Sequence, residues 1–308
     1  MRPVDGHGFG AGRARWSGGD GDDYAPNMIE TVELTISDGR LRADVDGPAD
    51  GEPVLLLHGF PQTRYTWRHQ LPALAEAGYR AVAPDQRGYS PGLRPTSVEG
   101  YHVDRLVADV VEVVDQLGGR VNLVGHDWGG QVAWLTASHH PDRIRTLTVL
   151  SRPHPAAFAA SFSVDPAQAE RSKHHRGFDD PATADRFLDE GARRLRRLLA
   201  GSGVPAEDID GYLEVLGQRP ALDAALNWYR AATGAGLRAA DTAAVTVPTC
   251  YIWGTEDASV GRSAAEATAE HVTGPYRLVE VAGGGHFLTD DGSNPVVTAS
   301  LLHHLTGR

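Results

Sequence analysis

A series of short apolar runs, separated by segments of helix length, is the feature that most constrains the fold of this chain. The runs at residues 54–57 and 121–124 are apolar at nearly every position, which is typical of parallel strands buried on both faces. Helical patterns at 67–77 and 103–117 lie between the early strands. Further strands are predicted at 80–83, 144–150, 247–253 and 276–281. This alternation predicts an α/β fold with a mostly parallel, doubly wound sheet.

The alternation of strand and helix patterns is interrupted in two places, and these interruptions divide the chain. Near the beginning, the alternating segments 31–36 and 41–45 flank Asp38 and Gly39, which predicts a β-hairpin because Asp-Gly supplies the positive φ angles of its turn. Residues 153–241 lack strand patterns and are rich in Ala, Arg and Leu, so we expect a helical insertion. Its helices are predicted at 166–176, 187–200, 206–216 and 221–232. The expected organisation is a mobile arm at 1–28, a core domain at 29–152 and 242–308, and a helical cap, or lid, at 153–241.

Composition excludes several classes of partner. The chain has 308 residues and a formal net charge of −11 at pH 7, which gives little attraction for nucleic acid or anionic membranes. No apolar run reaches membrane-spanning length, and the first 28 residues lack the apolar segment of a secretory signal. Cys250 is the only cysteine, so no intrachain disulfide can form, and we expect it on a buried strand. These features favour a cytoplasmic protein with neither nucleic-acid nor membrane partners.

The strand at 121–124 leads directly into the motif GHDWGG at 125–130, which a segment of helix length follows. This arrangement predicts a nucleophile elbow, a sharp turn between strand and helix, with Asp127 where many hydrolases carry serine. Gly125 and Gly129 fit such a turn because it brings neighbouring backbone too close for larger side chains. The dipole of the following helix favours an ionised carboxylate. The alternative for Asp127 is a purely structural helix N-cap.

Other candidate residues follow predicted strands in the order that this chemistry requires. Phe60 lies in the motif HGFP at 58–61, where its backbone N–H can join that of Trp128 in an oxyanion hole. Asp257 and His286 each follow a later strand, so the nucleophile, the acid and the histidine occur in the chain order that goes with such an elbow. The structural alternatives are a loop carboxylate for Asp257 and a histidine at a helix start for His286.

Five short sequence segments, taken together, are specific for one protein family. They are HGFP at 58–61, WRHQLP at 67–72, APDQRGY at 83–89, GHDWG at 125–129 and LNWYR at 226–230. Together they resemble the epoxide hydrolase and haloalkane dehalogenase branch of the α/β-hydrolase superfamily, over about residues 29–308. The resemblance implies an α/β-hydrolase fold with an inserted helical cap and a nucleophilic Asp127. It also implies that the reaction needs neither a metal nor an organic cofactor.

A carboxylate nucleophile determines the reaction that the resemblance implies. Asp127 attacks the saturated carbon of an alkylating electrophile and becomes an ester of the enzyme, whereas a serine would attack a carbonyl. A water activated by His286 then attacks the carbonyl carbon of Asp127, while Asp257 orients His286. The N–H groups of Phe60 and Trp128 hold the resulting oxyanion. The expected partner is a small electrophilic molecule.

The leaving group separates the two subfamilies. Opening an epoxide needs an O–H donor for an oxygen that stays attached, while halide release needs N–H donors around a departing anion. Tyr229 matches the ring-opening cap tyrosine of epoxide hydrolases, and we place Trp228 beside it in the pocket. Where a second cap tyrosine is expected, the chain carries His174 and His175, which we assign to the substrate pocket. The sequence therefore favours an epoxide as substrate.

Two other functions stay open. A dehalogenase with the same triad is supported by Trp128 and by the unusual His174 and His175. A non-catalytic ligand-binding protein of this fold is the second alternative. The complete Asp–His–Asp set disfavours it, because drift away from catalysis has no reason to spare all three residues. A homodimer is left open as the assembly.

Overall fold

One sheet of eight strands lies at the centre of the protein. The computed structural model describes residues 28–173, 177–232 and 242–307. The strands are β1 Glu30–Ile36, β2 Gly39–Asp46, β3 Glu52–Leu57, β4 Tyr79–Pro84, β5 Val121–His126, β6 Ile144–Leu150, β7 Thr249–Gly254 and β8 Tyr276–Val281. Each strand predicted from the sequence is present, and Cys250 lies on β7 with no exposed surface, as predicted.

The order and directions of the strands define one edge of the sheet where a functional site can form. The spatial order is β1-β2-β4-β3-β5-β6-β7-β8. Within the described residues β2 is antiparallel to its neighbours β1 and β4, and the other adjacent pairs are parallel. The predicted hairpin is confirmed, with Ile36 paired to Gly39 at its turn. The carboxyl ends of the parallel strands share one edge, which is where open α/β sheets bind their ligands.

Helices cover both faces of the sheet and form the insertion. They are α1 Gln70–Glu76, α2 Val103–Gln116, α3 Trp128–His139, α4 Pro155–Val164, α5 Pro166–Arg171, α6 Thr183–Gly201, α7 Ile209–Leu216, α8 Arg219–Ala232, α9 Arg262–Ala267 and α10 Asn294–Leu305. Helices α4 to α8 follow one another between β6 and β7, and we call them the helical insertion. The predicted fold class, a mostly parallel sheet with inserted helices, is confirmed. None of the helices in the described ranges combines the length and apolarity needed to cross a lipid bilayer.

All the helices of the insertion differ from the predictions in at least one boundary, and three differences are the largest. Helix α4 was not predicted, because its nearly continuous apolar sequence lacks the polar alternation of an amphipathic helix. Helix α5 ends at Arg171 rather than at residue 176, and residues 174–176 lie outside the described ranges. Helix α6 begins at Thr183, four residues before the predicted start, and is broken by left-handed or extended backbone at 189–192.

The helix predicted at 67–77 is also shorter than expected. The structure has a 3₁₀ turn at Arg64–Trp67 and begins α1 only at Gln70. Pro72 then lies in the first turn of α1, where a missing N–H breaks no helical hydrogen bond. A helix that began at residue 67 would place the ring of Pro72 against the carbonyl of Arg68, so the proline sets the boundary.

A buried ionic cluster joins the insertion to the core. Arg68 donates from Nη2 to Asp208, in the insertion, and from Nη1 to Asp290, in the core, both at 2.7 Å. Tyr212 of α7 donates its hydroxyl to Asp290 at 2.6 Å. Because the Asp290 side chain is 0% exposed, these partners offset the cost of burying its charge. The cluster therefore fixes α7 against the core.

Glycines allow β3, β5 and α3 to approach one another at the predicted elbow. A Cβ on Gly129 would lie 2.2 Å from the carbonyl oxygen of Leu57. A Cβ on Gly125 would lie 2.4 Å from the carbonyl oxygen of Gly129. Both distances are shorter than any real carbon contact, so the turn requires glycine at both positions, as the sequence motif predicts.

Replacing Gly129 by alanine is expected to lower the free energy of unfolding by about 1–3 kcal/mol, because the new methyl group overlaps the Leu57 carbonyl. Urea denaturation monitored by circular dichroism measures the change. Gly201→Ala is the matched control, since a Cβ at this position in α6 meets no other atom of the described chain within 4 Å. Equal stability of Gly129→Ala and wild type would contradict the close packing of the elbow.

Candidate active site

Asp127 occupies the single position between β5 and α3. Its φ of 50° and ψ of −115° form a strained conformation that residues with a side chain rarely adopt. Its backbone N–H donates to the carbonyl of Leu150 at 3.2 Å, which ties the turn to β6. Although Asp127 stands at the N-cap position of α3, its carboxylate makes no capping hydrogen bond. The carboxylate instead lines a cavity at the edge of the sheet.

The loop after β3 provides a hydrogen-bond donor for this carboxylate. The backbone N–H of Phe60 donates to Oδ1 of Asp127 at 2.9 Å, as expected for one half of an oxyanion hole. Trp128 begins α3 directly after Asp127, so its N–H is a free helix N-terminal group beside the same carboxylate. Within the described chain this N–H makes no hydrogen bond to Asp127. The predicted role of Trp128 in the oxyanion hole therefore stays a prediction.

The loops after β7 and β8 bring an acid and a histidine to Asp127. Nε2 of His286 lies 3.5 Å from Oδ2 of Asp127, and Nδ1 of His286 lies 2.8 Å from Oδ2 of Asp257. Asp257 is 2% exposed. Its Oδ1 also accepts the N–H groups of Ser259 and Val260 at 2.7 and 3.0 Å, which hold the carboxylate in place. Three residues predicted from separate parts of the sequence thus form one chain of contacts.

Electrostatics keep Asp127 and His286 ionised. Burial alone would raise the pKa of Asp127, but the hydrogen bond and charge of His286, with the N–H of Phe60, hold that pKa below its ordinary value. Burial alone would lower the pKa of His286, but the negative charges of Asp257 and Asp127 raise it to about 10. At neutral pH the resting site is therefore a carboxylate facing an imidazolium.

Tyr229 reaches the same cavity from α8 of the insertion. Its ring lies edge-on to Phe60, Trp128 and Phe178, with centroid distances of 5.4, 5.2 and 4.7 Å. Burial and the negative charge of Asp127 raise the pKa of Tyr229 well above its ordinary value, while a hydrogen bond with the Trp128 side chain opposes the shift. The hydroxyl is therefore protonated at neutral pH and available as a donor.

The cavity above Asp127 has a volume of about 760 Å³. Its lining includes the apolar residues Phe60, Phe178, Phe187, Leu198 and Phe287. The polar and charged lining residues include Glu170, Arg171, Ser202, Glu256 and Asp291. The sequence did not identify Phe187 and Leu198, because apolar positions on an amphipathic helix give the same signal whether they face a core or a cavity.

The sequence also assigned Trp228, His174 and His175 to the substrate pocket, and the structure bears on Trp228 alone. Trp228 is 2% exposed and does not belong to the described lining of the cavity. Its Nε1 donates to the carbonyl of Arg87 at 2.9 Å, so it attaches α8 to the core beside Tyr229. His174 and His175 lie outside the described residues. In the described part of the chain, no group of three or more His, Cys, Asp or Glu side chains is arranged to hold a metal ion.

Comparison with known proteins agrees with this geometry. The profile of the alpha/beta hydrolase fold family matches residues 52–293. Epoxide hydrolase A of Mycobacterium tuberculosis is 36% identical, and the match covers 90% of this chain and 98% of that protein. Epoxide hydrolase 4 of Mus musculus is also 36% identical, over 86% of this chain and 77% of the mouse protein.

A solved structure extends the similarity to three dimensions. The crystal structure of epoxide hydrolase A from Mycobacterium thermoresistibile superposes with a TM-score of 0.78 at 29% sequence identity. The match covers 91% of this chain and 99% of that structure. The sheet order, the residues at its carboxyl edge and the similarity over nearly the full chain all agree. The chain is therefore a hydrolase of the α/β-hydrolase superfamily, and it belongs to the branch of that superfamily that contains the epoxide hydrolases.

Proposed function

We propose that the protein is an epoxide hydrolase, which opens an epoxide to a vicinal diol through a covalent ester on Asp127. The observation that carries the proposal is an ionised Asp127 between the N–H of Phe60 and the imidazole of His286, with Tyr229 lining the same cavity. The names of relatives that match this chain over most of its length support the choice of substrate. The helical insertion supplies Tyr229 and Phe178, so it acts as the cap of the cavity.

The first half-reaction forms the ester. A carboxylate oxygen of Asp127 attacks one ring carbon, so a C–O bond to the enzyme forms while the C–O bond of the strained ring breaks. The ring oxygen takes the proton of the Tyr229 hydroxyl. The raised pKa of Tyr229 keeps that proton in place until charge develops on the substrate, and the hydrogen bond from the Trp128 side chain stabilises the phenolate left behind.

Ester formation prepares the histidine for the second half-reaction. The ester carries no charge, so one of the two carboxylates that raise the pKa of His286 is lost. The imidazolium then gives its proton to the phenolate of Tyr229 and becomes a neutral base. It accepts a proton from a water that attacks Cγ of Asp127, and the oxyanion is held by the Phe60 N–H. Collapse of this intermediate breaks the ester, and the carboxyl proton passes to the departing oxygen of the diol.

A dehalogenase would use the same triad but needs N–H donors for the halide. Trp128 is the natural candidate for such a donor in this chain. Its side chain, however, hydrogen-bonds to the hydroxyl of Tyr229, so the donor that a halide would need already has a partner. This contact favours an epoxide over a carbon–halogen bond. Parallel measurement of diol formation from styrene oxide and halide release from 1-bromobutane distinguishes the two activities.

Asp127→Asn is expected to reduce epoxide turnover on the order of 10³-fold or more, because an amide is a very poor nucleophile. The same variant removes a negative charge beside His286, so the pKa of His286 should fall below its wild-type value of about 10. Diol formation and an NMR titration of the imidazole measure the two effects. Glu76→Gln, which removes an exposed carboxylate at the end of α1 outside the described lining of the cavity, is the control and should retain turnover. Unchanged turnover in Asp127→Asn contradicts the proposal.

His286→Gln is expected to form the ester but to hydrolyse it very slowly, since the base that activates water is missing. Intact-protein mass spectrometry after incubation with styrene oxide should show an added mass of one substrate. Digestion should then place the adduct on the peptide that contains Asp127. Failure to find an adduct with a panel of epoxides would argue for a non-catalytic protein of this fold.

Tyr229→Phe is expected to lower kcat for epoxides by about 10²- to 10⁴-fold, because the developing alkoxide loses its proton donor. Tyr276→Phe is the matched control, since the hydroxyl of this β8 residue is buried and makes no hydrogen bond within the described residues. Steady-state kinetics with styrene oxide measure both variants. A Tyr229→Phe enzyme as fast as the control would show that another group protonates the ring oxygen.

A further inference from the structure

The main-chain carbonyl of His286 is held by two side chains that the proposed reaction does not use. Nε2 of His126 lies 2.8 Å from this oxygen, and Oγ of Ser151 donates to it at 2.8 Å. His126 is the last residue of β5, Ser151 follows β6, and His286 follows β8. Three segments at the carboxyl edge of the sheet therefore meet at a single carbonyl oxygen.

The contact also fixes the state of His126. A carbonyl oxygen accepts hydrogen bonds and cannot donate them, so Nε2 of His126 must carry the proton. The side chain is 0% exposed, and its Nδ1 has no hydrogen-bond partner within the described residues. A second proton on Nδ1 would place an unpaired charge in the interior, next to the ring of His286 at a centroid distance of 5.4 Å. His126 is thus a neutral donor in one tautomer.

Ser151 is equally constrained. Its φ of 54° is a left-handed conformation that few residues with a side chain adopt. Its own N–H donates to the carbonyl of Ile252 on β7 at 3.0 Å, and its side chain is 0% exposed. The left-handed backbone is held by this bond while Oγ reaches the carbonyl of His286. Both donors to that carbonyl are therefore built into the ends of rigid strands.

We infer that His126 and Ser151 are positioning residues that hold the main chain of His286 so that its imidazole activates water in the hydrolytic half-reaction. This inference rests on the proposed function. The imidazole contacts Asp257 through Nδ1 and faces Asp127 through Nε2, but neither contact restrains the main chain from which the ring projects. The two hydrogen bonds to the carbonyl supply that restraint.

The two half-reactions depend on this restraint to different extents. Attack of Asp127 on the epoxide uses the carboxylate itself, which Phe60 and the elbow hold independently. Hydrolysis requires a water placed between Nε2 of His286 and Cγ of Asp127, and such geometry tolerates little displacement. Loss of the restraint should therefore slow hydrolysis of the ester while leaving its formation nearly unchanged.

Single-turnover and steady-state kinetics with styrene oxide test this division. His126→Phe keeps a ring but removes the donor, and Ser151→Ala removes the other donor. Each variant should lower kcat, with a loss on the order of 10- to 100-fold for His126→Phe. KM should fall with kcat, so that kcat/KM stays near the wild-type value and the ester accumulates in mass spectra. His126→Gln, which restores an N–H donor, should be faster than His126→Phe.

Thr148→Val on β6 is the matched control, because its buried hydroxyl has no partner within the described residues. It should behave as wild type. Equal losses of kcat and kcat/KM in His126→Phe and Ser151→Ala, or no loss in either, would overturn the positioning role. A His126→Gln enzyme as slow as His126→Phe would do the same. If wild-type enzyme never forms the ester, the proposed function itself fails, and this inference fails with it.

Discussion

The attraction between the carboxylate of Asp127 and the imidazole of His286 is the interaction on which the site depends. Each charge is removed from most of its water, and each would be neutralised if it stood alone in that environment. Asp257, buried behind the histidine, supplies a second negative charge that keeps the imidazole protonated in the resting state. The strained turn at the end of β5 matters because it holds the first of these charges where the others can reach it.

The insertion is attached to the core at the same place where it lines the cavity. Trp228 and Tyr229 are adjacent on α8, yet they point to different surroundings. The indole of Trp228 binds the carbonyl of Arg87 at 2.9 Å, while Tyr229 lines the cavity. On a helix, consecutive residues project about 100° apart, so one turn of α8 serves both purposes. The position of Tyr229, the proposed proton donor, is therefore coupled to the attachment of the helix, and Arg68 secures the neighbouring α7 through Asp208 and Asp290.

The elbow was predictable from sequence because its signal is local. A buried strand, two glycines and a helix occur within a few residues around Asp127, and His286 follows a strand in the expected chain order. Features that depend on tertiary packing were not predictable. Helix α4 has no amphipathic pattern, Phe187 has the same pattern as a core residue, and the sequence alone does not tell which of two adjacent aromatic residues on α8 faces the cavity. The contact between the His126 ring and the carbonyl of His286 was not predictable either, because it joins residues 160 positions apart.

The chain leaves the sheet after β6 and returns at β7, and these two strands are direct neighbours. The helices α4 to α8 can therefore change in length or sequence without altering the order of the eight strands. Evolution or an engineer can exchange the α4–α8 segment as one unit, which changes the walls of the cavity while Asp127, Asp257 and His286 at the sheet edge are kept, provided that the new segment again presents a hydroxyl donor in the place of Tyr229. The shape of the cavity and the proposed proton donor are therefore inherited together, separately from the nucleophile and its histidine.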